Sequence, residues 1–310
     1  MKRLIGLLAL LSLCACIPTA VLPATNVLPN ARVAATVPFE DFETYYEVVG
    51  PADGQPILMV HGIGGGSSLF QYRKNAAELA RQGYEVYALD LLGFGRSTRP
   101  AIRTTQDLHV GQLESFIETN IGEPTALVGN GLSAAYSIRL AAERPDLVEG
   151  LILIAPTGYE RLARSQGEAR VRAFDRFRGF LGNLIYTLLV AENIQDIFLL
   201  DAYISEASIT PEVRAEFDRQ LRAANAKWVI LSFISGNLDQ DVSGLWPETT
   251  QPALILWGAQ AETTPVKDAE AFLAARPEVE LVTIEGAKLL PNEDRPEAFN
   301  RAVLDFLGAL

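Results

Sequence analysis

The stretch that decides the fold is residues 125–135, which read Thr-Ala-Leu-Val-Gly-Asn-Gly-Leu-Ser-Ala-Ala. The mostly apolar run 125–129 predicts a short buried strand. Asn130 and Gly131 then predict a sharp turn, and the helical pattern 132–143 begins with small residues that allow a helix to start close to a strand. A strand, a tight turn and a helix in this order are typical of a parallel sheet with crossover helices.

Further apolar runs on both sides of this stretch repeat the pattern. They predict strands at 42–49, 56–60, 85–89, 150–154, 253–257 and 281–284. Helical patterns lie between them, at 69–82, 105–120, 266–275 and 297–310. Nearly continuous apolar strands that alternate with helices predict the α/β class, with a mostly parallel central sheet and flanking helices.

One long segment interrupts this alternation. About 90 residues of helical pattern separate the strand at 150–154 from the strand at 253–257, far more than an ordinary connection. Thr210 followed by Pro211 is a good helix start, because it combines a capping residue with proline at the first helical position. We therefore predict a helical cap insertion at about 157–250, which covers a pocket.

The N-terminus predicts export. Lys2 and Arg3 precede an apolar run at 4–13, which is too short to cross a bilayer, and the run ends in Leu13-Cys14-Ala15-Cys16. This segment resembles a bacterial lipoprotein signal peptide, which implies cleavage before Cys16, lipidation of that cysteine, and a membrane anchor facing the periplasm or the cell exterior. The alternative is a plain secretory signal cut near Ala20.

These features predict three regions: a signal peptide at 1–16, an extended tether at 17–38 with four prolines, and a folded domain at 39–310.

Composition excludes several classes of function. The 310 residues are 49% hydrophobic and 21% charged, enough for a full core, and the formal net charge of −12 argues against nucleic acid binding. Cys14 and Cys16 are the only cysteines, so the folded domain has no disulfide and no thiol nucleophile. We predict neither a metal site nor a cofactor.

Four short motifs occur in an informative order: His61-Gly62, the glycine-rich 63–66, Asp-Leu-Leu-Gly-Phe-Gly-Arg-Ser at 90–97, and the turn within 127–135. Together they resemble the α/β-hydrolase superfamily over roughly 39–310. The resemblance implies an oxyanion pocket whose donors are the backbone N–H groups of Ile63 and Leu132. The predicted pocket residues are His61, Gly62, Ile63, Gly131 and Leu132.

The catalytic side chains of that family are missing from the matching positions. The nucleophile position of the turn is Gly131, the acid position after the strand at 253–257 is Ala261, and the histidine position is Leu289. Disabling such a triad costs about a million-fold in turnover. The sequence therefore predicts a non-catalytic member of the family, which binds a small apolar ligand with a carbonyl or carboxylate group, or a protein partner.

Two alternatives stay open. One is an ester or amide hydrolase that uses Ser133, in a turn shifted by two residues, with His61 or Lys288 as the base. The competing interpretation places Ser133 in the first helical turn, both His61 and His109 in structural roles, and Lys288 in solvent. The other alternative is a purely structural protein, which predicts a pocket filled by side chains such as Leu289.

A cluster of arginines lies in the predicted cap, at positions 161, 164, 170, 172, 176 and 178. These arginines either form a solvated helical face paired with nearby acids or face anionic lipid head groups or a partner.

Overall fold

A computed structural model describes Ala20, Leu22 and residues 25–310. The predicted signal peptide and Cys16 lie outside the described residues. Cleavage and lipidation at Cys16 therefore remain predictions.

Eight strands form one sheet. In chain order they are β1 Val33–Phe39, β2 Phe42–Val49, β3 Pro56–Val60, β4 Glu85–Leu89, β5 Thr125–Asn130, β6 Val148–Ile154, β7 Ala253–Gly258 and β8 Glu280–Ile284. Their spatial order is β1-β2-β4-β3-β5-β6-β7-β8. From β4 to β8 each neighbouring pair is parallel, and the β1–β2 and β2–β4 pairs are antiparallel. This arrangement confirms the predicted mostly parallel sheet.

The helices cover both faces of the sheet, as a parallel sheet requires. They are α1 Ala76–Arg81, α2 Gln106–Phe116, α3 Leu132–Glu143, α4 Glu168–Phe177, α5 Phe180–Leu189, α6 Glu192–Ala202, α7 Pro211–Arg222, α8 Ala226–Ile234, α9 Ala269–Ala275, α10 Pro291–Asp294 and α11 Pro296–Leu307. Short 3-10 turns span Leu69–Tyr72, Glu206–Ser208, Trp246–Glu248 and Val266–Asp268, and a π turn spans Ile117–Ile121. Helices α2, α3 and α9 pack on one face, and α1 and α11 pack on the other.

Helices α4 to α8 all lie between β6 and β7, within the segment predicted as the cap. Helix α7 begins as expected, because the Thr210 hydroxyl accepts a hydrogen bond from the Val213 N–H and Pro211 occupies the first turn. The cap sits directly on the glycine-rich loop after β3. Gly66 has a φ of +107°, and a Cβ there would overlap the Phe217 ring of α7, so only glycine allows this approach.

The predicted tether at 17–38 is wrong for its C-terminal part. Residues 33–39 form the edge strand β1, in which Pro38 is tolerated because an edge strand leaves one side of its backbone unpaired. Ahead of the strand, the backbone N–H groups of Val27 and Leu28 each donate to the Glu47 carboxylate at 2.7 Å, and Leu28 is buried. This segment is therefore part of the folded domain.

Candidate functional site

The site is built around the turn between β5 and α3. Gly131 lies at this turn with φ +59° and ψ −113°, a conformation that residues with side chains rarely adopt. Its N–H donates to the Ile154 carbonyl at 2.9 Å, and its own carbonyl accepts from Ala135 and Thr157, both at 3.3 Å. A Cβ built on Gly131 has no atom within 4 Å, so a side chain here would project into open space.

The residues that carry the two predicted backbone donors, Ile63 and Leu132, border the same open space. Ile63 follows β3, and Leu132 is the first residue of α3, where the helix leaves its initial N–H groups without internal partners. Neither N–H forms a hydrogen bond within the described residues. A helix N-terminus with free N–H groups favours an anion or a polarised carbonyl oxygen.

The open space is a cavity of about 380 Å³ between the sheet and the cap. Gly62, Ile63, Gly131 and Leu132 line it at the sheet end, as predicted. Most of the remaining wall is apolar and comes largely from the cap, with Leu162, Leu189, Phe198, Leu199, Phe217, Leu221, Ile230 and Phe233. The cavity is thus apolar along most of its length and offers backbone donors at the sheet end.

The other two positions of the expected triad are apolar. Ala261 is buried in the main core and does not line the cavity. Leu289 lines the cavity wall and packs against the same core, so it occupies space without offering a proton acceptor. Among the described residues, no histidine lines the cavity.

His61 is the predicted pocket residue that the structure places elsewhere. Its ring is fully buried behind the loop: Nδ1 donates to the Gly62 carbonyl at 2.8 Å, and Nε2 accepts from the Leu91 N–H at 3.0 Å. This pairing requires the neutral tautomer protonated on Nδ1. Desolvation lowers the pKa of His61 to about 4, which keeps the ring neutral at physiological pH.

His109 is equally buried. Its Nε2 donates to the Leu92 carbonyl at 3.1 Å, and desolvation lowers its pKa to about 4 as well. Both histidines therefore hold the loop that follows β4, as the structural interpretation of the sequence expected, and neither reaches the turn.

Ser133 also lies away from the cavity. It is fully buried in the first turn of α3, where its hydroxyl accepts from the Asn130 N–H at 2.8 Å and lies 3.0 Å from the carbonyl oxygens of Val60 and Asn130. The hydroxyl thus joins the turn to β3. Lys288, the other residue considered as a base, donates to the Leu200 carbonyl at 2.9 Å and lies 3.5 Å from the Glu262 carboxylate.

Several polar side chains on the cavity wall were not predicted from the sequence, and two of them have no hydrogen-bond partner among the described residues. Thr157 and Thr264 both line the cavity, and each has a buried hydroxyl without a hydrogen-bond partner among the described residues. The Thr157 N–H binds the Gly131 carbonyl, which places this threonine beside the turn. Its position just after a parallel strand was the available signal, because ligand sites of α/β sheets lie at the carboxyl ends of strands.

Two carboxylates of the cap line the cavity, those of Asp201 and Glu216. Asp201 accepts a hydrogen bond from the Thr263 hydroxyl at 2.7 Å. The Glu216 carboxylate accepts from Arg219 and Gln220, both at 2.6 Å, and from Ser68 at 3.3 Å. These contacts satisfy its oxygens within the wall. Among the described residues, no group of three or more His, Cys, Asp and Glu side chains is arranged to hold a metal ion.

A mostly parallel sheet, a sharp turn between β5 and α3, and helices inserted between β6 and β7 define the α/β-hydrolase fold. Residues 57–302 match the model of the alpha/beta hydrolase family, and the chain belongs to that family. The predicted fold class is confirmed.

Individual proteins are similar to this chain over most of its length. The chain is 26% identical over 280 residues to a 2-hydroxy-6-oxo-6-(2'-aminophenyl)hexa-2,4-dienoic acid hydrolase of Metapseudomonas resinovorans, covering 86% of this chain and 88% of that protein. A serine hydrolase involved in carbazole degradation superposes with a TM-score of 0.73 at 22% identity, covering 90% and 99% of the two chains. A bacterial membrane phospholipase A superposes with a TM-score of 0.73 at 20% identity, covering 100% and 99%. These two structures share the fold.

Proposed function

We propose that this protein is a non-catalytic member of the alpha/beta hydrolase family that binds an apolar ligand ending in a carboxylate or carbonyl group. The observation that carries the proposal is the cavity at Gly131: it is open, mostly apolar, and bordered by the free N–H groups of Ile63 and Leu132. Its volume of about 380 Å³ suits a small ligand. The Thr157 hydroxyl supplies a further polar contact beside the turn.

The two alternatives, a purely structural protein and a hydrolase, require different features of the site. A purely structural protein predicts a filled pocket, whereas this cavity is open at Gly131. The similarity to the Metapseudomonas protein, which is named as a hydrolase, favours the hydrolase alternative. A hydrolase that uses Ser133 would have to free a hydroxyl that is buried and hydrogen-bonded on every side, and would need a base that no histidine supplies.

The binding test uses a pair of variants at Leu132. Proline is tolerated at the first position of a helix and removes the N–H, whereas alanine truncates the same side chain and keeps the N–H. The probe is 11-(dansylamino)undecanoic acid, whose fluorescence reports binding, with dodecanoate and 1-dodecanol as competitors. We expect Leu132→Pro to weaken dodecanoate at least about tenfold relative to Leu132→Ala, because a hydrogen bond to a charged group contributes about 1.5–3 kcal/mol.

Three outcomes would contradict the proposal: no binding of the dansyl probe, equal dodecanoate affinities of the two variants, or an equal weakening of dodecanol. Catalysis is tested separately with a fluorophosphonate label and short-chain nitrophenyl esters. Turnover that disappears in Ser133→Ala would establish the hydrolase alternative instead.

We also propose that the chain is exported and held at a membrane by a lipid on Cys16, facing the periplasm or the cell exterior. The support is the motif at 13–16 behind a charged start and an apolar run. Metabolic labelling with an alkyne fatty acid in a bacterial host is expected to mark the protein and to fail for Cys16→Ser. Labelling that persists in this variant would refute the assignment.

A further inference from the structure

The cap presents a large apolar surface on α5 and α6. Ten large hydrophobic side chains are exposed in the described part of the chain, and six of them lie on these two helices: Phe180, Leu181, Leu188, Ile197, Phe198 and Leu200. We call these six residues the cap apolar face. Single exposed apolar residues are ordinary, but six on adjacent helices mark an interaction surface.

In each of the two helices, the side opposite the cap apolar face packs against the rest of the cap. In α5, Tyr186 is buried and its hydroxyl donates to the Leu221 carbonyl; in α6, Leu199 is buried. Within the described residues, no single helix is long and apolar enough to cross a membrane, although α5 and α6 together meet that test of length and composition across a bend of 64°. Short helices anchored on one side and apolar on the other are suited to lie in a lipid interface.

Positive charge borders this surface on α4 and the residue that follows it. Four of the arginines in the sequence cluster lie at 170, 172, 176 and 178, against the two acids Glu168 and Asp175. Arg172 and Arg178 pair with these acids at exposed positions, where an ion pair contributes little. Arg176 is exposed and has no ion pair within the described residues. A basic rim on a chain of net charge −12 is complementary to an anionic surface.

The acids of α6 are mostly engaged elsewhere. Asp196 pairs with Arg214, and Asp201 accepts a hydrogen bond from the Thr263 hydroxyl at 2.7 Å. Glu192 is exposed in the first turn of α6, where a carboxylate stabilises the helix dipole.

The cavity connects to the same surface. Phe198 is both 47% exposed and part of the cavity wall, and Leu189 at the end of α5 also lines the cavity. We propose that the cap apolar face and its arginine rim dock on an anionic lipid surface, with the mouth of the cavity at Phe198 turned toward the lipid. This proposal is independent of which ligand the cavity binds.

The test places an environment-sensitive dye at two positions of the full chain, in which Cys14 and Cys16 are replaced by serine so that a single new cysteine carries the label. Leu188→Cys lies on the cap apolar face, and Arg81→Cys is the matched exposed control on α1. The vesicles contain phosphatidylcholine alone or phosphatidylcholine with phosphatidylglycerol. We expect a blue shift and quenching by spin-labelled lipid at position 188 only, and mainly with phosphatidylglycerol.

Charge reversal tests the rim. Arg176→Glu together with Arg178→Glu is expected to lower vesicle binding at least about fivefold for each arginine, whereas Arg81→Glu leaves it unchanged. Circular dichroism confirms that each variant is folded. Equal responses at positions 188 and 81, undiminished binding by the Arg176 and Arg178 variant, or a blue shift without vesicles, which indicates a second protein copy, would each overturn the proposal.

Discussion

Replacing Gly131 with alanine is expected to destabilise the protein, although the added methyl group contacts no neighbouring atom. The conformation at φ +59° and ψ −113° costs a residue with a side chain about 1–3 kcal/mol. No atom lies within 4 Å of the added Cβ, so a steric clash contributes nothing. The expected loss is therefore backbone strain, partly offset by about 0.4–1 kcal/mol because alanine reduces the entropy of the unfolded chain.

Gly179 provides the matched control. It also precedes a helix without a side-chain cap, and an added Cβ meets no atom there either, but its φ of −96° suits alanine. Urea unfolding followed by circular dichroism should place Gly131→Ala about 1–3 kcal/mol below Gly179→Ala in free energy of unfolding. Equal stabilities of the two variants would refute the view that glycine relieves strain at this turn.

Two further predictions concern buried groups. The pKa of His61 and of His109 is about 4 in the folded protein and about 6.5 in the unfolded chain. Each histidine should therefore lower the free energy of unfolding by up to about 3 kcal/mol as pH falls from 6.5 to 4. Asp90, whose pKa burial raises to about 6, opposes this by up to about 3 kcal/mol below pH 6, and burial also raises the pKa of Glu293 and Asp294. The test is therefore the difference between the native chain and His109→Gln: urea titrations should show a smaller loss of stability at low pH in the variant, and an unchanged pH dependence there would contradict the assignment. Ser133→Ala should lower the free energy of unfolding by about 1–3 kcal/mol, because it leaves buried groups unpaired. Ser137→Ala loses one hydrogen bond within its own helix and should lower it by less. Equal losses in the two variants would refute the role of Ser133 in joining the turn to β3.

Much of the fold follows from the sequence, because buried parallel strands are apolar along their whole length. The bounds of β3 and β4 agree with the predicted 56–60 and 85–89, and α3 agrees with 132–143. The first strand was missed because the four prolines in 17–38 indicated an extended tether, although Val33, Val37 and Phe39 alternate with more exposed residues. Composition describes a whole segment, whereas a strand needs only a few alternating residues.

The sequence predicted the parts of the site that the backbone forms better than the parts that side chains form. Ile63, Gly131 and Leu132 line the cavity because their motifs fix the loop and the turn. The motif did not fix the direction of the His61 ring, which depends on the Leu91 N–H, a group 30 residues away in the chain. The residues of the apolar cavity wall could likewise not be predicted, because the wall forms only when the cap helices pack over the sheet.

The turn at Gly131 makes structural contacts of its own. Its N–H binds the end of β6, its carbonyl binds α3 and Thr157, and Ser133 connects the same turn to β3. These bonds involve the backbone or a buried hydroxyl, so none of them needs a side chain at position 131. Leu132, the next residue, lines the cavity, and its N–H has no hydrogen-bond partner within the described residues. Donors that recognise a carbonyl or carboxylate oxygen therefore do not depend on a side chain at position 131, which is why we propose binding as the activity of this turn.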